Sequence, residues 1–316
     1  KDARPFKVAD NIIMMVVDAK TGEKANFGSK QTIIEVFKKD SLDLTKDEFN
    51  EINDRLKDYY MFSYNYLSIL TLIKKEIFRF LKVGTQTIIG PAISSLLFLA
   101  VFSLALGKSV NSINGVKLSE FIAPGLIMMT MLQNSFANSA SSIGQSKFQG
   151  NIVDILMAPL GNLELTIGYV AGSVARGLIC GFTTCLAILL FIPLEIHSLL
   201  GLVFYSLMGC IMMGTLGTMV GIWADKWDQQ QGITNFIVLP LTFLSGTFYS
   251  ISRLPEFWQN FAKFNPFFYN IDGFRYCFIG QSDSSLLIGA LVLILINSLL
   301  LILCYLMFHS GYKLKT

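Results

Sequence analysis

Between residues 83 and 308 the chain repeatedly presents apolar runs as long as a bilayer core is thick, and this restricts its fold more than any other feature. About 20 apolar residues suffice for a helix to cross the hydrocarbon. The first run extends from Val83 to Gly107 and is interrupted by Gly84, Gln86, Gly90 and Pro91. Others follow at roughly 120–143, 166–193, 198–224, 233–252 and 284–308. The expected fold is an all-α membrane protein with six transmembrane helices, and an even count places both termini on one side.

Composition agrees: 53% of the 316 residues are hydrophobic and 15% charged, more apolar surface than one soluble core buries. Of 47 Lys, Arg, Asp and Glu, 23 fall in the first 60 residues, which marks residues 1–60 as a small soluble extension. A net charge of +3 without a long basic run gives no nucleic-acid partner. The five cysteines, Cys180, Cys185, Cys210, Cys277 and Cys304, lack metal or redox spacing and are expected as small core residues. No signal-peptide pattern is visible at the start of the sequence.

Lys74, Lys75, Arg79, Lys82, Lys147, Lys226, Lys313 and Lys315 flank the runs on the side of the termini, against Lys108, Lys117, Arg253, Lys263 and Arg275 opposite. The excess orients the termini to the cytoplasm. Residues 64–82 predict an interfacial amphipathic helix, with Tyr66, Leu67, Leu70, Ile73, Ile77, Phe80 and Leu81 on one face and Lys74, Lys75, Glu76 and Lys82 on the other. Leu254 to Gly280 is too polar, and too interrupted by Pro255 and Pro266, to span. Its aromatic residues suit an outer re-entrant segment. In the extension, Ile12 to Val17 predicts a strand, Lys20 to Glu23 a turn, and Thr45 with Glu48 a capping box.

No nucleotide site follows from the string Gly107, Lys108, Ser109, because the first glycine of a phosphate loop would stand at Phe102. Leu244, Ser245, Gly246 lies inside an apolar run, beyond the reach of a nucleotide. Lys20, Thr21, Gly22 lacks an upstream Ser-x-x-Lys and so predicts no serine enzyme. Residues 147–159 form a short amphipathic helix that a partner could grip, or an ordinary loop. In the second run Gln133, Asn134, Asn138, Ser141, Ser142 and Gln145 make one polar stripe, which lines a path or bonds neighbouring helices. Gly168 with Gly172, Gly177 with Gly181, and Gly217 with Gly221 predict close helix approach. Arg176, within the third run, is a snorkelling residue or a buried ion partner.

From about Tyr64 onward the chain resembles the ABC-2 type transporter permeases, in particular small bacterial inner-membrane permeases whose ATPase is a separate chain. The resemblance rests on Phe121 to Met129 (FIAPGLIMM), Lys147 to Pro159 (KFQGNIVDILMAP), Gly168 to Gly177 (GYVAGSVARG), Phe248 to Pro255 (FYSISRLP) with Phe257 and Trp258, and Asn265 to Gly280 (NPFFYNIDGFRYCFIG). It implies a homodimer of six-span subunits in the bacterial inner membrane and an ABC ATPase in trans that holds the ATP and Mg, this chain binding neither. Lys147, Phe148, Gln149, Asn151, Asp154 and Pro159 would belong to a coupling helix in a groove of that ATPase. Gly150 stands where similar sequences often carry a basic residue. The second and fifth helices would line the substrate path, with Asn134, Asn138, Thr242 and Ser245 along it and Ser141 on the same stripe. Trp258, Asn265, Pro266, Tyr269, Gly273 and Arg275 would belong to the outer re-entrant segment.

Residues 1–40 resemble the C-terminal tail of alphaproteobacterial class A penicillin-binding proteins, in Arg4, Pro5, Phe6, Asp18 to Gly22 and Ile34 to Lys38, without catalytic residues. With Met61 just before the permease-like part, this implies a fusion or a misplaced start; a regulatory extension is the alternative. The function expected is the membrane subunit of an ATP-driven exporter, itself not an enzyme. The rivals are a proton-driven secondary carrier and a lipid-modifying membrane enzyme using Asp154, Asp225, Lys226, Trp227 and Asp228.

Overall fold

The computed structural model describes residues 3–5, 16–18, 24–25, 66–106, 112–113, 115–158 and 160–314. The Lys20–Glu23 turn, the Thr45–Glu48 capping box, Met61 and Pro159 lie outside them. The chain divides into two units, Lys1–Ser68 and Ile69–Thr316. In the first unit β1 (Ala3–Pro5), β2 (Val16–Asp18) and β3 (Lys24–Ala25) form an antiparallel sheet in that order.

The second unit is helical. Helix α1 covers residues 66–81. A wide turn at Thr85–Ile89 leads into α2 (Gly90–Leu106), and the hairpin of β4 (Ser112–Ile113) and β5 (Val116–Lys117) turns at Gly115, whose φ is +84°. There follow α3 (Leu118–Phe148), α4 (Ile152–Met157), α5 (Asn162–Leu189) and α6 (Leu199–Trp223). Then come α7 (Trp227–Ile233), a second wide turn at Thr234–Val238, α8 (Leu239–Leu244), α9 (Glu256–Phe264), α10 (Pro266–Ile279) and α11 (Leu286–Ser310).

Among the described residues, four helical segments are long and apolar enough to cross a membrane: Thr85–Ala105, Asn162–Leu189, Leu199–Trp223 and Leu286–Ser310. Local chemistry sets many of the ends. Ser198 Oγ accepts from Gly201 N at 3.3 Å, and Asn265 Oδ1 from Phe267 N at 3.1 Å with Pro266 opening α10. Gly280 and Gly311 close α10 and α11 at φ +74° and +64°. Both wide turns end two residues before a proline. Pro91 and Pro240 carry no N–H, and the preceding Gly90 and Leu239 donate five residues back, to Thr85 and Thr234.

Helix α3 is the axis of the unit, buried along most of its length against α5, α6 and α10. Ile122, Leu126, Met128 and Leu132 pack with Met212, Met213, Ile271 and Phe274. Lipid tails match these side chains in polarity, so close packing and polar bonds hold the helices together. The paired glycines permit it. A Cβ at Gly168 would strike Leu72 and one at Gly172 would strike Glu76. At Gly177 it would meet Ser135 and Cys210, and at Gly217 the carbonyl of Phe136.

One expectation changes. Glu76, expected on the polar face of α1, is fully buried, and α1 packs through Leu72, Glu76 and Phe80 while Tyr66, Leu67 and Leu81 are exposed. A charge reverses its face when the protein supplies its partners, as shown below. The segment from Leu254 to Gly280 is two helices of opposite character. Phe257, Trp258, Phe261 and Phe264 are exposed on α9, whereas Phe267, Phe268, Ile271 and Phe274 of α10 lie in the core. The kink at Asn265 and Pro266 separates them.

Candidate functional site

The polar stripe of α3 has two sets of partners. Arg79 of α1 donates through Nη2 to Asn138 O (2.7 Å) and Oδ1 (2.9 Å) and through Nη1 to Ser141 Oγ (3.2 Å). The same guanidinium meets Glu76 Oε2 at 3.2 Å, and Ser142 Oγ donates to Glu76 Oε1 at 2.7 Å. Asn138, Ser141 and Ser142 therefore fasten α1 to α3. One turn away, Asn134 Oδ1 accepts from Arg176 Nη2 of α5 at 3.1 Å.

Asn134 also lines a cavity of about 380 Å³ bounded by α2, α3 and the second wide turn. Its walls include Pro91, Ser95, Phe98, Met129, Gln133 and Val238. Ser95 and Thr130 hydroxyls bond at 2.7 Å and fix α2 against α3 there. Of the path residues expected from sequence, Asn134 lines this cavity, and Asn138, Ser141, Thr242 and Ser245 do not. Thr242, fully buried, donates to Leu239 O at 2.8 Å, while Ser245 Oγ accepts from Asn265 Nδ2 at 2.8 Å.

At one end of the unit Lys147 closes α3. Its Nζ donates to Ile222 O, Ala224 O and Asp225 Oδ1 at 2.9, 3.0 and 2.7 Å, and Asp225 Oδ2 takes Lys313 Nζ at 2.6 Å. The two ammonium groups hold the Asp225 carboxyl down at about 2. The Phe148 ring stands edge-on to Trp227 at 6.2 Å. Gly150 turns the chain at φ +76°, and α4 follows with Ile152 buried and Val153, Asp154 and Met157 exposed. Gln149 and Asn151 are exposed beside it.

A lowered carboxylate pKa stabilises the folded state above the unfolded value and loses that contribution as pH falls through the folded one. Asp225→Asn is therefore expected to flatten the fall of melting temperature between roughly pH 4 and pH 2. Thermal unfolding across that range checks this; an unchanged profile would remove Asp225 as a contributor.

At the other end Arg275, buried, lies 4.0 Å over the Phe121 ring and donates to the Gly246 carbonyl. Asp272 accepts from Asp283 N, Ser284 N and Ser284 Oγ at 2.8, 3.0 and 2.7 Å, and so ties α10 to the start of α11. Gly273 admits Tyr205, and half-buried Tyr269 lies by Gly289. Trp258 is exposed on α9 beside Phe257 and Phe261. Sequence reasoning missed Glu76, Asp272 and the role of Arg79. The i,i+3 spacing of Glu76 and Arg79 is a signal for the pair; nothing local marks Asp272.

The ABC-2 type transporter family matches residues 68–279. Inner membrane transport permease YadH of Escherichia coli K12 is 34% identical over 251 residues, 79% of this chain and 98% of the relative. Nodulation protein J of Rhizobium leguminosarum bv. viciae is 24% identical over 227 residues, 68% of this chain and 83% of the relative.

Proposed function

Because the chain belongs to the ABC-2 type transporter family, and so is a membrane transport subunit rather than a catalytic one, we propose that it is the permease of an exporter powered by a separate ABC ATPase. In this reading α3 and the α7–α8 segment are the second and fifth of six spans, and two copies form the path across the inner membrane. The termini lie in the cytoplasm. The α4 region, with Lys147 to Pro159, is the coupling helix, and ATP and Mg belong to the partner.

The observation that carries the reading is the construction around α4. A six-residue helix presents Val153, Asp154 and Met157 outward, while Lys147 at its base is anchored through Asp225 to the end of α6 and through Lys313 to the segment after α11. A push on α4 is thereby passed to three long helices at once. The path lies along the Asn134 side of α3, where the cavity is found. ATP-driven closure of the partner shifts the two subunits between inward-open and outward-open arrangements, and cargo moves through its different affinity for each.

Gentle purification from the native membrane is expected to bring an ABC ATPase with the wild-type chain. Replacing Asp154 and Met157 together by Ala should reduce the recovered ATPase by about tenfold or more, the equivalent of roughly 1.4 kcal/mol at this contact. Retention of the ATPase by the variant would move the contact elsewhere.

A further inference from the structure

The walls of the cavity beside α3 are of one kind. Pro91, Phe98, Leu126, Met129, Val238 and Leu239 supply most of them, and none of the described residues that line it is charged. It lies where two helices are widened: Pro91 stands just past the first wide turn, and Thr234 and Val238 belong to the second. Widened turns of this kind are frequent at functional sites. From Phe98 the apolar lining continues as a column of rings, Phe98, Phe102, Phe248 and Phe243, with successive centroids 6.4, 4.5 and 5.6 Å apart. On α2 and the second wide turn Leu97, Phe236 and Ile237 are exposed, so the approach is apolar too.

The polar side chains of the lining are largely spent on the protein itself. The Ser95 and Thr130 hydroxyls bond each other at 2.7 Å, and Thr234 Oγ1 donates to Gln230 O at 2.9 Å. Asn134 Nδ2 donates to Thr130 O at 3.0 Å while its Oδ1 takes Arg176, and the Gln133 side-chain nitrogen is closed off. Ser94, exposed on α2, keeps its hydroxyl free among the described residues. A charged group placed here would lose its water and find no partner. An apolar body gains by burial, and one neutral polar tip can bond Ser94. The volume, about 380 Å³, is that of small-molecule sites. We infer that the cavity and the ring column form a binding site for an uncharged, largely apolar molecule with at most one neutral polar tip such as a hydroxyl, and that charged molecules are excluded from it. This deepens the permease reading and rests on it only in making that molecule the cargo.

The test uses the purified full-length chain in lipid nanodiscs and three photoreactive probes of one chain length, each with a diazirine in its chain: an alcohol, a carboxylate and a quaternary ammonium. Cross-linked peptides are mapped by mass spectrometry at equal probe content of the bilayer. The alcohol is expected to label α2, α3 and the second wide turn saturably, about tenfold more than either charged probe. Ser94→Trp should cut that labelling about tenfold by filling the cavity from its exposed edge, whereas Leu97→Trp, on the same helix but outside the cavity, should leave it unchanged. Equal labelling by the three probes, or unchanged labelling in Ser94→Trp, would overturn the inference. So would labelling by a phosphatidylcholine with the diazirine in its acyl chain that unlabelled alcohol does not displace, because bilayer lipid would then fill the cavity. The measurement needs no ATPase: selective labelling of a chain with which no ATPase purifies would unseat the permease reading alone, and an ATPase without selective labelling would unseat this inference alone.

Discussion

Arg79→Met is expected to be among the most damaging single changes in the helical unit. It removes the closer and hydrogen-bonded of two cationic partners, the other being Lys75 at 3.7 Å, from a carboxylate with no exposure, and a buried ion pair broken on one side typically costs about 3–5 kcal/mol. At roughly 2–4 °C per kcal/mol, the melting temperature in detergent should fall by about 10 °C. The double variant Glu76→Gln with Arg79→Met should recover much of the loss, because the buried charge goes with its partner and Ser142 can still bond the amide. A double variant as unstable as the sum of the singles would show that the two side chains contribute separately, through packing.

Gly217→Val is the second. The Gly217 Cα faces the Phe136 carbonyl and the Ser139 hydroxyl, and Ser139 itself donates to Gly214 O at 2.7 Å. A branched side chain there drives α6 away from α3, where the obstacle is backbone and cannot rotate aside. Overpacking of this kind costs about 1–3 kcal/mol or more, and the parting of the helices also breaks the Ser139 bond. The yield of monodisperse protein in size-exclusion chromatography should fall several-fold. Gly232→Ala is the control: a Cβ there meets nothing within 4 Å, and within a helix Ala is favoured over Gly by about 1 kcal/mol. Equal behaviour of the two variants would deny that close approach is what Gly217 provides.

Arg79 and Gly217 illustrate different degrees of legibility. Gly217 and Gly221 could be read as a packing seam because spacing of four on an apolar helix has one physical meaning, whatever the partner. Arg79 could be read as a positive charge near an apolar run, three residues from Glu76. Its role depends on Asn138 and Ser141, 59 and 62 residues away, and no local pattern encodes a distance of that kind. Asn134 and Asn138 were likewise legible as one stripe, yet the stripe divides: Asn138 is taken up by α1, and Asn134 faces both Arg176 and the cavity.

The sequence by itself determined the apolar helices, their caps at Ser198, Asn265 and Gly280, the glycine seams and the family, because each depends on composition or on neighbours within about one turn. Tertiary structure alone decided that Glu76 is buried, that α10 lies in the core while α9 is exposed, that Asp225 joins Lys147 to Lys313, and that a cavity opens beside Asn134. The physical reason is that a side chain's hydropathy states what its surroundings should be, whereas the cost of a buried charge or donor is settled by groups that only folding brings within bonding distance.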